Sequence, residues 1–250
     1  YVIIDQKNSF LPSVIMIGNK LSDLKLGMPS SLVFKNTPSP ATDDWPFLYL
    51  TSHTIPLFYI AMIILLIITI YLSVSVVIGK TLYKNIEPTY FLLGMAFMLL
   101  ETKAIIQFSL LFGSTWLVNS LVFSVILILV LFSIKFVSYI TIASIRPWYI
   151  VLAITLLIQY FYPLQNLLSF TPIFRYILGG LLTLTPIFFA NFLFSHTFKQ
   201  SQNNSQNFAS NILGITAGGM LEYVSLLIGY RHLVLIILIC YFLAFILPSI

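Results

Sequence analysis

From Ile55 to Ile78 the chain runs without one ionised residue, a length that exceeds the roughly 20 helical residues needed to cross about 30 Å of hydrocarbon. The remainder is of the same character. Of 250 residues 59% are hydrophobic and only 8% charged, whereas an ordinary globular chain is about a quarter charged. So few ionised groups cannot cover a water-facing surface, and a chain this apolar is not disordered. What remains is a polytopic helical membrane protein in a lipid bilayer. The formal charge of +5 does not indicate nucleic acid, because the basic residues stand singly between apolar runs, as membrane-flanking anchors do.

Residues 1 to about 53 differ from the rest of the chain: Lys7, Lys20, Lys25, Lys35, Asp5, Asp23, Asp43 and Asp44 make this stretch aqueous. Within it, Tyr1-Val2-Ile3-Ile4 and Ser13-Val14-Ile15-Met16-Ile17 read as short strands between turn-forming residues. Two strands cannot make a core, so residues 1–41 are expected to be the tail of a soluble domain lying upstream of Tyr1. Residues 42–53 form an interfacial linker and residues 54–250 a transmembrane domain. No signal peptide is visible, and the single cysteine, Cys240, excludes an internal disulfide or a cysteine-based zinc site.

About seven spans are predicted: Ile55–Ile78, Thr89–Leu111, Trp116–Tyr139, Trp148–Leu164, Tyr176–Phe198, Phe208–Gly229 and Leu233–Leu247. The short Gly113-Ser114 link makes the second and third an antiparallel hairpin. The fourth is short and framed by aromatics that resemble interfacial anchors. If the soluble stretch is cytoplasmic, the loops with Lys80, Lys84, Arg146 and Lys199 fall outside, which opposes the positive-inside rule.

Polar residues inside these spans are the candidate site. Glu101 lies about 17 Å along its helix from Tyr90, near mid-bilayer, where a carboxylate is costly unless protonated, paired or wetted. It reads either as an interhelical hydrogen-bond partner or as part of a polar, proton-coupled cavity, with Asn119, Asn191 or Asn211 as partner. Lys103 points about 200° away from it, whereas Lys103 and Gln107, four apart, share a face; in the bland reading Lys103 snorkels. Ser210, Gly214, Gly218 and Glu222 recur at intervals of four. That stripe is either a helix-packing groove, with Glu222 bonded to a neighbour or to Arg231, or a substrate-lining face. Ahead of the first span, Asp43 and Asp44 read as turn caps, and Trp45, Phe47 and Tyr49 as headgroup-level aromatics. Paired carboxylates could also do acid–base work or hold a cation. His53, His196 and His232 are too far apart in sequence to form a metal set, so no metal is expected.

The stretch Thr42-Asp43-Asp44-Trp45-Pro46, continuing FLYL, resembles the motif that follows the Rossmann-like domain in bacterial spermidine-synthase-like membrane proteins. The segment from Pro88 to Leu127, with Glu101, Gln107, Phe112-Gly113 and Asn119, and the run Asn211–Leu233 are similar to that family's membrane segments. The resemblance implies an all-α polytopic bundle in the bacterial inner membrane, preceded by the β-containing tail of a soluble domain akin to methyltransferases. It implies S-adenosylmethionine or its decarboxylated form as cofactor of the upstream domain. No glycine-rich turn for that cofactor occurs here, so none is expected in this stretch. Two roles follow: the bundle anchors the upstream transferase or supplies its substrate, or it transports a polyamine or other small cation past Glu101 and Glu222.

Overall fold

The computed structural model describes residues 2–5, 14–17, 41–47, 49–50, 52–78, 86–140, 144–162 and 165–247. Residues 1–40 and 41–250 form separate compact units. In the first, strands β1 (Val2–Asp5) and β2 (Val14–Ile17) pair antiparallel, Val2 opposite Ile17 and Asp5 opposite Val14. Eight paired residues do not make a domain's sheet, and the expected β-containing tail of a Rossmann-like domain is not supported; most of that segment lies outside the described residues.

The second unit is helical. Its elements are α1 (Leu57–Ile78), α2 (Pro88–Phe112), α3 (Trp116–Tyr139), α4 (Arg146–Phe161), α5 (Gln165–Leu168), α6 (Pro172–Lys199), α7 (Asn204–Leu221), a 3₁₀ turn (Glu222–Val224), α8 (Ser225–Ile228) and α9 (Leu233–Ile246). Among the described residues five helical segments are long and apolar enough to cross a membrane: α1, α2, α3, α6 and the continuous stretch Asn204–Ile228. The chain is a helical membrane protein with five segments of membrane-crossing length among the described residues, and the expected count of seven is corrected. The other two apolar runs form α4 and α9, of 16 and 14 residues. Proline sets both limits: Tyr162 and Leu247, the residues before Pro163 and Pro248, are extended, as a following proline ring requires. The sixth expected span is also interrupted, tightening to 3₁₀ at Glu222.

Helix α2 is the axis of the bundle. Pro88 sits at its first turn and Gly113, at φ +94°, ends it; Thr115 then caps α3 by accepting the Val118 amide at 3.3 Å. Leu93, Ala96, Leu99, Leu100 and Ala104 of α2 are buried with Leu152 and Leu156 of α4, Ile187 and Leu193 of α6, and Leu233 and Ile237 of α9. The most apolar spans, α1 and α3, are the least covered by protein, because lipid tails solvate them as well as a core would. Helix α1 joins the bundle at its first turns, where Tyr59 packs on Tyr223 at 4.9 Å.

Helices α2 and α7 run parallel and nearly backbone to backbone. Ser210 accepts the Glu87 amide at 2.8 Å, Asn211 donates to the Tyr90 carbonyl at 3.2 Å, Gly214 lies against the Phe91 carbonyl and Gly218 against Met95 and Met98. A Cβ on Gly218 would stand 2.6 Å from the Met95 oxygen, and one on Gly214 would collide outright with that of Phe91. From α2 the cluster of small residues continues in Gly94, against Asn211. Gly214→Ala should therefore destabilise the bundle in detergent by about 2 kcal/mol, as overpacking does. Gly219→Ala is the control, since a Cβ there meets only Met98 Cε at 4.0 Å; equal melting temperatures for the two variants would contradict the packing.

Candidate functional site

The bundle has two chemically different ends. One collects the start of α2, the ends of α3 and α6 and the start of α7: Tyr90 donates to the Thr197 carbonyl at 2.9 Å and Lys199 to that of Val137 at 3.0 Å. The opposite end collects the last turns of α2 and α4, the α8–α9 corner and the segment that leads into α1. These are the Lys199 end and the Asp44 end.

At the Asp44 end the Thr42–Trp45 motif folds on itself and onto the corner. Thr42 and Trp45 exchange backbone hydrogen bonds of 3.2 and 3.0 Å, and the Thr42 hydroxyl also accepts the Trp45 amide at 3.1 Å. This turn is capped by threonine, not by Asp43 or Asp44 as expected. Trp45, 5% exposed, donates its indole N–H to the Leu226 carbonyl at 2.8 Å and stacks on His53 at 4.5 Å. Phe47 is buried against Tyr230 at 5.3 Å. Trp45 and Phe47 are thus part of a protein core rather than headgroup-level anchors, while Tyr49 is exposed. Pro46 joins these two buried rings.

Asp44 fastens the corner. Its carboxylate accepts the Arg231 amide at 2.6 Å and its carbonyl the Tyr230 amide at 2.8 Å. Gly229 between α8 and α9 is required twice over: its φ is +84°, and a Cβ would meet the Asp44 carboxylate at 2.7 Å.

Beneath this corner lies a polar cavity of about 190 Å³, walled by Asp43 and Asp44, by Lys103 and Gln107 of α2, by Gln159 and Tyr160 of α4, and by Tyr230 and Arg231. Lys103 stands nine residues before the end of α2, about 14 Å down the helix, and is 3% exposed. It faces this cavity and does not snorkel. Gln159 donates to the Gln107 carbonyl oxygen at 2.8 Å, leaving its own side-chain oxygen buried without a partner. Arg231 donates from Nε to the Tyr160 carbonyl at 2.9 Å and lies over the Tyr160 ring at 4.9 Å. Burial pushes the Tyr230 hydroxyl up to about 12, so it stays neutral.

The other sequence candidates lie elsewhere. Glu101 is half-buried and is bonded to none of its expected partners: Asn119 accepts from Ser109 at 3.4 Å, Asn191 donates to Ile187 at 3.0 Å and Asn211 to Tyr90. These amides satisfy backbone or hairpin groups close to them first. Asn191 and Asn211 line a largely apolar crevice of about 650 Å³ whose wall also holds Lys199. Glu222 is half-buried in the 3₁₀ turn and is not joined to Arg231, which donates from Nε to Tyr160 and from its backbone amide to Asp44. Among the described residues no group of His, Cys, Asp and Glu could hold a metal. Gln159 and Tyr230 were not singled out by the sequence, and Tyr160 only as one of the interfacial aromatics that frame the fourth run, although Gln159 is a lone amide in an apolar run and a usable signal.

No known protein family, curated protein or solved structure matches the chain.

Removing the motif's anchor tests this assembly. Trp45→Ala should cost about 3 kcal/mol, as large-to-small changes of buried aromatics do, and Trp45→Phe about 1 kcal/mol for the lost hydrogen bond. Thermal unfolding in detergent reads both, and an unchanged midpoint for Trp45→Ala would contradict the docked motif.

Proposed function

We propose that this chain is the membrane-embedded part of a spermidine-synthase-like protein of the bacterial inner membrane. It holds an upstream S-adenosylmethionine-type transferase domain at the Asp44 end and offers that domain a small polar substrate from the cavity there. One observation carries the reading: the segment leading into the membrane is built into the bundle, with Trp45 buried and Asp44 bonded to the α8–α9 corner beside the cavity. A mere tether has no need of such fixed geometry, whereas an enzyme that takes substrate from a membrane module does. S-adenosylmethionine or its decarboxylated form belongs to the upstream domain in this reading. The resemblance in Thr42–Pro46 and in the α2–α3 segment supplies the chemistry.

Transport of a polyamine or other small cation is the competing role. Neither the polar cavity nor the apolar crevice has Glu101 or Glu222 in its wall, which favours the anchoring and substrate-supplying role.

Topology mapping of the full-length protein in cells gives the sharpest test. A transferase fed with cytoplasmic S-adenosylmethionine requires the Asp44 end inside, so Gln202→Cys should react with an impermeant maleimide from outside and Ser114→Cys only after permeabilisation. Both positions are exposed, one at each end of the bundle. The basic residues pull the other way, since Lys135, Arg146 and Lys199 lie toward the far end and Lys80 and Lys84 precede α2. The positive-inside rule puts that end in the cytoplasm. The reverse labelling pattern would end the transferase reading. Spermidine uptake by proteoliposomes that Glu101→Gln abolishes would establish transport instead.

A further inference from the structure

We propose that the cavity at the Asp44 end binds a small zwitterion, a molecule carrying a carboxylate and an ammonium a few bonds apart, as a free amino acid does. The inference rests on reading this end as the site, and it names the substrate class independently of the transferase chemistry.

Two polar groups in one wall face the hollow without a protein partner among the described residues. Lys103 is 3% exposed, and among the described residues no hydrogen bond or ion pair takes up its ammonium. Gln159 is 4% exposed; its amide donates to Gln107, and its side-chain oxygen accepts from no group. A buried acceptor left open is costly, and beside it an ammonium faces the same hollow with no protein partner among the described residues. A single ligand that brings an anionic acceptor and an N–H donor satisfies both.

The charges around the hollow sort the same way. Lys103 and Arg231 stand against Asp43 and Asp44, so the wall is balanced and selects a ligand that is balanced too. Asp44 is anchored through Oδ1 to the Arg231 amide, and Arg231 through Nε to the Tyr160 carbonyl, with its guanidinium held over the Tyr160 ring. That leaves Lys103 at depth and the exposed Asp43 carboxylate at the rim. A ligand therefore lies with its carboxylate inward on Lys103 and its ammonium toward Gln159 and Asp43. A bare polyamine would set a cation against Lys103, and a simple carboxylate would leave Gln159 and Asp43 unmet.

Size narrows the class. At about 190 Å³ the hollow is smaller than the roughly 300 Å³ at which pockets for drug-sized ligands begin. A nucleoside is excluded, and short amino acids fit.

The test is calorimetric titration of the full-length protein in nanodiscs with glycine, alanine and serine, and with propionate, propylamine and putrescine as singly functional or cationic comparators. At least one amino acid should bind saturably, and the comparators roughly tenfold or more weakly, each lacking a charge-assisted bond. Lys103→Met should lose the binding. Should that variant fail to fold, Asp43→Asn at the exposed rim should still weaken amino-acid binding about tenfold. Putrescine binding as tightly as the amino acids, none of the three amino acids binding, or affinity unchanged in Lys103→Met or Asp43→Asn would overturn the proposal. Saturable amino-acid binding without S-adenosylmethionine turnover would sink only the transferase reading, and turnover without that binding only this one.

Discussion

The rest of the bundle depends on the backbone approach of α2 and α7. In lipid there is no hydrophobic force to press helices together, so association falls to close packing and interhelical hydrogen bonds. Gly94, Gly214 and Gly218 let two main chains touch, and Ser210 and Asn211 add hydrogen bonds to Glu87 and Tyr90 at one end of the contact. Pinned there, α2 presents its remaining faces to α3, α6 and α9. Since α2 and α7 are parallel and far apart in sequence, the chain must travel away and return between them. Helices α3, α4 and α6 are that path.

The parallel pairing also decides what lies at the Asp44 end. It brings the α8–α9 corner level with the last turns of α2, so that Tyr230 and Arg231 meet Lys103 and Gln107. Gly229 turns the chain in a conformation few other residues adopt, and Asp44 accepts the two amides the turn exposes. A sharp corner in or near the membrane leaves backbone groups that water does not fully satisfy. The segment Thr42–Phe47 supplies the missing partners and covers the corner with two aromatic rings. The stabilising role of Asp44 and its place in the cavity wall are thus one feature.

Polar side chains within the spans divide according to how near a backbone partner is. Asn191 bonds one turn back on its own helix and Asn211 reaches the adjacent main chain of α2. Among the described residues the Gln159 oxygen and the Lys103 ammonium have no such partner, and both residues border a hollow. Glu101, the residue whose sequence position looked costliest, is only half-buried and is outside that hollow. Depth along a helix does not by itself tell which way a side chain points.

What the sequence alone determined was the class of solvent and the local punctuation. An ion-free run such as Ile55–Ile78 admits only a membrane helix, the Gly113 break marks the α2–α3 hairpin, and the four-residue spacing of Ser210, Gly214 and Gly218 puts them on one face whatever they touch. Pro163 and Pro248 were equally legible as helix stops and the fourth run read as short, yet both runs were counted as spans because hydropathy does not by itself tell a short apolar helix from one long enough to cross. Only the tertiary structure decided that Trp45 sits against Leu226 and not at a lipid headgroup, since an amphipathic indole satisfies either setting with the same atoms. It likewise decided that Lys103 and Gln107 meet Gln159 across some fifty residues of chain. That meeting depends on which helices lie side by side, and pairing in a bilayer is set by the fit of surfaces from distant segments, a quantity no local window of sequence contains.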